Sequence, residues 1–127
     1  MSKTNFEKLR VYALAEKLSD RVWDVVMEWD TFARDTVGKQ LVRAADSVGA
    51  NVAEGLGRAT PLDNRRFVRT ARGSLTETKH FLRRAWRRKL LKPAQTEDLK
   101  VLLGNLYPQL NAYLSSIGRS GFDRRSA

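Results

Sequence analysis

Apolar residues recur at steps of three and four along four successive stretches of this chain, and no segment alternates with period two for long enough to form a strand. That pattern restricts the chain to helices, each with one face to bury. The first helix is expected from Thr4, where Thr4-Asn5-Phe6-Glu7 has the form of a capping box, to about Trp29; Val11, Leu14, Leu18, Val22, Val25 and Trp29 share its inner face. Asp30 to Asp35 reads as a turn. The second helix is expected from about Thr36 to Arg58, with Val37, Leu41, Ala45, Val48, Val52 and Leu56 inward.

Thr60-Pro61 marks the next start, an N-cap followed by proline at the first helical position. The third helix is expected to reach about Leu91, with Phe67, Ala71, Leu75, Thr78, Leu82 and Ala85 inward and Trp86 at the edge. Pro93 restarts the chain into a fourth helix carrying Leu99, Leu102, Leu103, Leu106, Leu110, Tyr113 and Ile117. Pro108 lies inside it and is expected to kink it, with Gly104 four residues earlier easing the clash of the ring.

Four amphipathic helices joined by short connections imply an all-α fold, an antiparallel four-helix bundle running up-down-up-down over residues 1–118, with 119–127 as a loose tail. A chain of 127 residues can bury such a core without disulfide or metal staples. Cysteine is absent, which excludes a Cys-rich zinc site and a redox thiol. The polar start Met1-Ser2-Lys3-Thr4-Asn5 has no apolar core like that of a secretory signal, and no apolar run approaches the roughly 18 residues of a membrane span. The expectation is a cytoplasmic protein without membrane contact.

The charge is concentrated. Lys and Arg total 24 against 14 acids, a net charge of +10. The segment 58–92 alone holds 12 basic residues against only Asp63 and Glu77, and the remainder of the chain balances at 12 and 12. On a helical projection Arg65, Arg69, Arg72, Lys79, Arg83 and Arg87 fall on one side, roughly opposite Phe67 and Leu82; Arg66, Arg84 and Arg88 extend the basic surface. Such a run can be a merely solvated face, but solvated faces mix signs, and like charges one turn apart weaken a helix that gains nothing from them. Arginine outnumbers lysine here, which favours phosphate forks and base stacking. Trp86 could stack on a base; as a large apolar residue it is expected rather at a core edge or a subunit contact.

A second polar line runs down helix two: Arg43, Ser47, Asn51, Glu54 and Arg58, spaced so that they share an arc beside the apolar stripe. Small residues surround it, namely Ala44, Gly49, Ala50, Ala53, Gly55 and Gly57, and helix three offers Gly73, Ser74 and Glu77 with Arg72 beside them. The reading is close helix approach with an interhelical polar network that sets register. A catalytic reading would need Glu54 or Glu77 to act as acid, base or metal ligand. Neither has the required constellation: His80 is the single histidine, no Glu-x-x-His pair exists, and no Gly-rich phosphate loop or catalytic triad is present. No catalytic residue, no metal and no cofactor is expected.

The pattern Arg43-x3-Ser47-x3-Asn51-x2-Glu54-Gly55-x2-Arg58, followed by Phe67, Ala71 and Gly73-Ser74-x2-Glu77, resembles the signature of the four-helix bundle proteins related to those encoded in bacterial 23S rRNA intervening sequences. The opening Phe6-x2-Leu9-x-Val11-x3-Ala15 fits as well, and the likeness covers roughly residues 6 to 90. The resemblance implies a ring-like homopentamer and distant kinship to the accessory proteins of diversity-generating retroelements, basic barrels thought to engage nucleic acid and a reverse transcriptase. Together with the charge it favours a non-enzymatic, homo-oligomeric binder of nucleic acid, RNA before DNA, through Arg65, Arg66, Arg69, Arg72, Lys79, Arg83, Arg84, Arg87 and Arg88. Arg43, Ser47, Asn51, Glu54, Arg58, Ser74 and Glu77 would then hold the bundle. The alternative is a protein-interaction scaffold of a ribonucleoprotein or reverse-transcriptase-type complex, with no direct nucleic-acid contact.

Overall fold

The computed structural model describes residues 9–118. Four long helices follow one another: α1 (Arg10–Val26), α2 (31–56), α3 (Pro61–Arg87) and α4 (Pro93–Ser116), with no strand among the described residues. The proposed capping box at Thr4 and the tail from 119 lie outside the described residues.

Each helix packs on two others in a cycle, α1 on α2 and α4, and α3 on α2 and α4. Contacts fix the directions. Ser19 of α1 donates to the Ala45 carbonyl of α2 at 3.1 Å, while nearer the turn Val26 meets Gly38. Ser47 of α2 faces Ser74 of α3, and Gly55 faces Asn64. Arg65, Arg72 and Thr76 of α3 reach Ile117, Asn111 and Tyr107 respectively. Arg21 of α1 and Glu28 in the turn just past it reach Asp98 and Gln95 of α4. In every neighbouring pair the residue numbers run in opposite senses, as in antiparallel helices. The core between them contains Leu18, Val22, Leu41, Val48, Val52, Val68, Leu75, Leu106 and Leu110, all fully buried.

Three boundaries differ from the sequence expectation. The first turn is Met27–Asp30 rather than Asp30–Asp35, and α2 starts at Thr31, about a turn earlier than expected. Asp30 ends that turn as the N-cap of α2: its carboxylate accepts from the Ala33 amide at 2.9 Å, the role short acidic side chains play at helix starts. Immediately afterwards Arg34–Gly38 forms a π-turn before regular α-helix resumes over Lys39–Leu56. Buried positions Ala33, Val37, Leu41 and Ala45 step by four, which drifts off a regular α-helical face by about 40° per step. The wider turn absorbs part of that drift.

The third difference is the end of α3. It stops at Arg87, short of Leu91, because Lys89 adopts a left-handed conformation (φ 62°). Leu90 N then donates to Ala85 O at 2.9 Å and Lys89 N to Trp86 O at 3.0 Å, the paired bonds of a Schellman ending. Glycine usually marks such an ending, and its absence here hid the stop from the sequence. By contrast Thr60 caps α3 as expected, accepting from Asp63 N at 3.2 Å with Pro61 next in the chain. At the Arg87 end, the buried Trp29 indole donates to Leu90 O at 2.9 Å and so ties the α1–α2 turn to the α3–α4 turn.

Two inner faces also shift by a residue. Phe67 is half-buried and Val68 is fully buried in its place; Leu14 is likewise half-buried while Ala15 is fully enclosed. In α4, Leu99, Leu102, Leu106, Leu110 and Leu114 line the core, and the helix continues through the exposed Pro108.

Glycine placement separates a packing requirement from a spare position. A Cβ on Gly55 would lie 2.6 Å from Asn64 Oδ1, and 3.0 Å from both Asn64 O and Phe67 Cβ. Nothing lies within 4 Å of a Cβ built on Gly73. Gly55→Ala is therefore expected to destabilise the fold by about 1–3 kcal/mol through overpacking, exceeding the roughly 1 kcal/mol of helix propensity gained. Gly73→Ala is expected to stabilise by about 0.5–1 kcal/mol. Urea unfolding of both variants beside the parent protein measures the opposite signs.

Candidate nucleic-acid interface

α3 is 27 residues long, about 40 Å at the rise of an α-helix, and the cluster of positive charge lies along it. Its buried direction is set by Val68, Ala71, Leu75, Thr78, Leu82 and Ala85. Measured from the buried residues of α3, the stripe Arg65, Arg69, Arg72, Lys79, Arg83 and Arg87 is centred about 110° from the core rather than opposite it. It runs along the flank that meets α4. The outward direction carries Arg66, Gly73, Glu77, His80, Arg84 and Arg88, of which all but the half-buried Arg84 are exposed.

Several of these side chains are held by neutral groups. Arg65 donates to the Ile117 carbonyl at 3.0 Å and Arg72 to Asn111 Oδ1 at 3.3 Å. The Lys79 ammonium sits 5.8 Å from the centre of the Tyr107 ring, whose hydroxyl in turn donates to Thr76 Oγ1 at 3.0 Å. Neutral partners orient a cation without cancelling its charge.

Ion pairs account for little of the cluster. Of the 12 cations of segment 58–92, three have a carboxylate within 4 Å: Arg58 with Glu54 at 3.3 Å, Arg66 with Asp63 at 3.4 Å, and Lys92 with Glu28 at 3.1 Å. The other nine, Arg65, Arg69, Arg72, Lys79, Arg83, Arg84, Arg87, Arg88 and Lys89, have none among the described residues. The Lys92 pair joins the turn after α1 to the start of α4. Its hydrogen bond, then its charge, and then the Gln95 amide hold the Glu28 carboxyl below the ordinary carboxylate value. That contribution to folding is present above the ordinary value and is lost as pH falls through the lowered one.

The second polar line divides into two parts. Ser47 Oγ and Ser74 Oγ are 2.9 Å apart across the α2–α3 seam, and Asn51 Nδ2 donates both to Ser47 Oγ at 2.9 Å and to Ser47 O at 2.8 Å. Thr78, fully buried, donates to Ser74 O at 2.8 Å. A half-buried hydrogen-bonded cluster of this kind fixes register at a net stabilisation of about 1 kcal/mol per bond. Outside it, Glu54 and Arg58 form an exposed pair one turn apart, and the Arg58 guanidinium lies 4.7 Å over the Phe67 ring. Arg43 and Glu77 are exposed and take no part in the cluster. A Cβ on Gly49 would lie at ordinary contact distance from Tyr12 and Ala15 of α1, so the small residues of α2 face two seams, not one.

Sequence reasoning left one feature unassembled. Lys79, Leu82, Arg83 and Trp86 of α3, Leu91, and Thr96, Leu99, Lys100 and Leu103 of α4 line an open groove of about 270 Å³. Periodicity directs Leu82, Leu99 and Leu103 to the core, and Lys100 lies outside the basic segment; only the α3–α4 register brings them together. Trp86 stands at the edge of the core, 51% exposed on this groove. Among the described residues no group of three or more His, Asp and Glu side chains is placed to hold a metal ion, and no helix is long and apolar enough to cross a membrane.

No curated protein matches the chain in sequence. A solved structure from Bacteroides thetaiotaomicron VPI-5482, a protein of unknown function from the S23 ribosomal protein family, superposes with a TM-score of 0.74. The two are 18% identical, with 84% of this chain and 99% of that chain covered, a likeness of fold. The family model described as 23S rRNA-intervening sequence protein matches residues 7–112, extending past the signature around Arg43–Glu77 into α4. A two-part polar signature on α2 and α3, four antiparallel helices and that match over most of the length agree: the chain belongs to the family of 23S rRNA-intervening sequence proteins.

Proposed function

We propose that the protein binds nucleic acid, RNA in preference to DNA, through the α3 flank and as a homo-oligomer, without catalysing a reaction. One observation carries the reading: nine cations of a single helical segment lack a carboxylate partner among the described residues. Unneutralised charge of one sign, repeated along about 40 Å, raises the local concentration of a polyanion. Arginine forks suit phosphate oxygens, and phosphate contacts carry no sequence information, so specificity for sequence is expected to be slight.

Self-association is supported at the other side of the bundle. Trp23 and Met27 are about half exposed and, with Val42, line a shallow depression between α1 and α2; Phe32 near the same turn is 80% exposed. Exposed apolar side chains grouped in this way mark a protein contact. In the homopentamer that the family resemblance implies, each subunit would add its own basic flank, and avidity would rise without new contacts.

Affinity for RNA, single-stranded DNA and duplex DNA, measured at several salt concentrations with the particle mass followed by light scattering, tests the reading. The logarithm of affinity should fall linearly with that of salt, with a slope of about −0.7 for each phosphate contacted on a single strand. Binding indifferent to salt would refute it, and a protein partner retained in pull-downs after nuclease treatment, with no direct affinity for RNA, would support the scaffold alternative instead.

Charge kept for binding carries a cost in stability that can be measured. Arg69 has Arg65, Arg66 and Arg72 three or four positions away, each a like-charge neighbour. Arg69→Gln is expected to stabilise the protein by about 0.2–0.5 kcal/mol per relieved pair. The gain should be visible in thermal unfolding at about 0.01 M salt and fade at about 1 M. The same variant should bind RNA more weakly, with a salt slope shallower by about one contact.

A further inference from the structure

We propose that the groove between α3 and α4 seats one unpaired nucleobase, with the Trp86 ring as its stacking surface and Lys79, Arg83 and Lys100 holding the flanking phosphates. The inference rests on the nucleic-acid reading and adds to it a preference for single strands over duplex.

The groove combines three properties. Its floor is apolar, built from Leu82, Leu91, Leu99 and Leu103, and its volume of about 270 Å³ suits a single planar ring system rather than an extended ligand. Its rim is cationic: Lys79 and Arg83 have no carboxylate within 4 Å among the described residues, and the Lys100 contact with Glu97 is long, 3.9 Å, between exposed side chains. Its edge is an aromatic ring that the chain itself leaves half uncovered, with Trp86 51% exposed. An apolar slot bordered by cations matches a group that is apolar on its faces and anionic on either side, which describes a base between two phosphates. A base in a duplex is already stacked on its neighbours and must be extruded before it could enter. The other phenyl rings of the basic segment are less available: the Arg58 guanidinium lies over Phe67 at 4.7 Å, and Phe81 is partly buried against the core.

The position of the groove agrees with this use. Trp86 sits between Arg83 and Arg87 on the flank that carries the stripe, so a strand lying along Arg65, Arg72 and Lys79 passes directly by the ring. Phosphate contacts alone would leave the strand free to slide; one inserted base would give it a register.

Fluorescence anisotropy of a labelled single-stranded RNA, the same length of abasic sugar-phosphate strand, and a duplex tests the proposal with the parent protein, Trp86→Ala and Trp86→Phe. Trp86→Ala is expected to lower affinity for the single strand by about five- to tenfold, the lower part of the range for one base on an aromatic ring, with an unchanged salt slope. Trp86→Phe should recover most of that loss, and neither variant should alter binding of the abasic strand or the duplex. Equal losses on all three ligands would overturn the proposal, as would dissociation of the oligomer by Trp86→Ala in light scattering, which would assign the groove to a neighbouring subunit. Unchanged affinity of a folded Trp86→Ala would overturn it while leaving the nucleic-acid reading intact. Absence of any RNA binding by the parent protein would remove both.

Discussion

Where α2 passes α3, the helices come close enough that a methyl group on Gly55 would lie 3.0 Å from both the Asn64 carbonyl oxygen and Phe67 Cβ. A few turns along the same seam, Ser47 and Ser74 share a hydrogen bond that Asn51 reinforces. Steric closeness at one point and directional bonding at another together determine both the distance and the rotation of α3. With Val68, Leu75 and Leu82 then turned inward, the arginines spaced from them by three and four residues have only the α4 flank and the solvent to occupy. The electrostatic character of the surface is a consequence of how α2 and α3 meet through neutral groups at their seam.

The cations on that flank illustrate how a small bundle can display uncompensated charge and remain folded. Arg65 and Arg72 are anchored by a carbonyl and an amide oxygen, and Lys79 by a ring face. Hydrogen bonds to neutral acceptors reduce the conformational freedom of the long side chains while leaving the field intact. Carboxylates elsewhere are engaged away from α3: Asp98 with Arg21, and Glu28 with Lys92 at the opposite side of α4. Separation of the two signs thus follows from which helices carry the acids.

Core and surface are also divided along α4. Its leucines continue past Pro108 with the inner face unbroken, and the same helix supplies Asn111, Tyr107 and Lys100 to the α3 seam. One helix therefore closes the core and completes the basic surface. The groove beside Trp86 lies where both tasks meet.

Much of this was legible in the residues alone. Steps of three and four named four helices, Thr60-Pro61 and Pro93 placed two starts correctly, and the Arg58–Lys92 imbalance located the charge, because each of these is a local property of a helix. The Asp30 cap was overlooked in a turn-like cluster, and the end of α3 had no glycine to announce it, since Lys89 takes the left-handed conformation itself. The choice between Phe67 and Val68 as the inward residue was not legible, because periodicity cannot separate two apolar neighbours. The groove was beyond sequence reading altogether. Its walls lie on two helices, and their juxtaposition is set by interhelical register, a property of packed surfaces that no one segment contains.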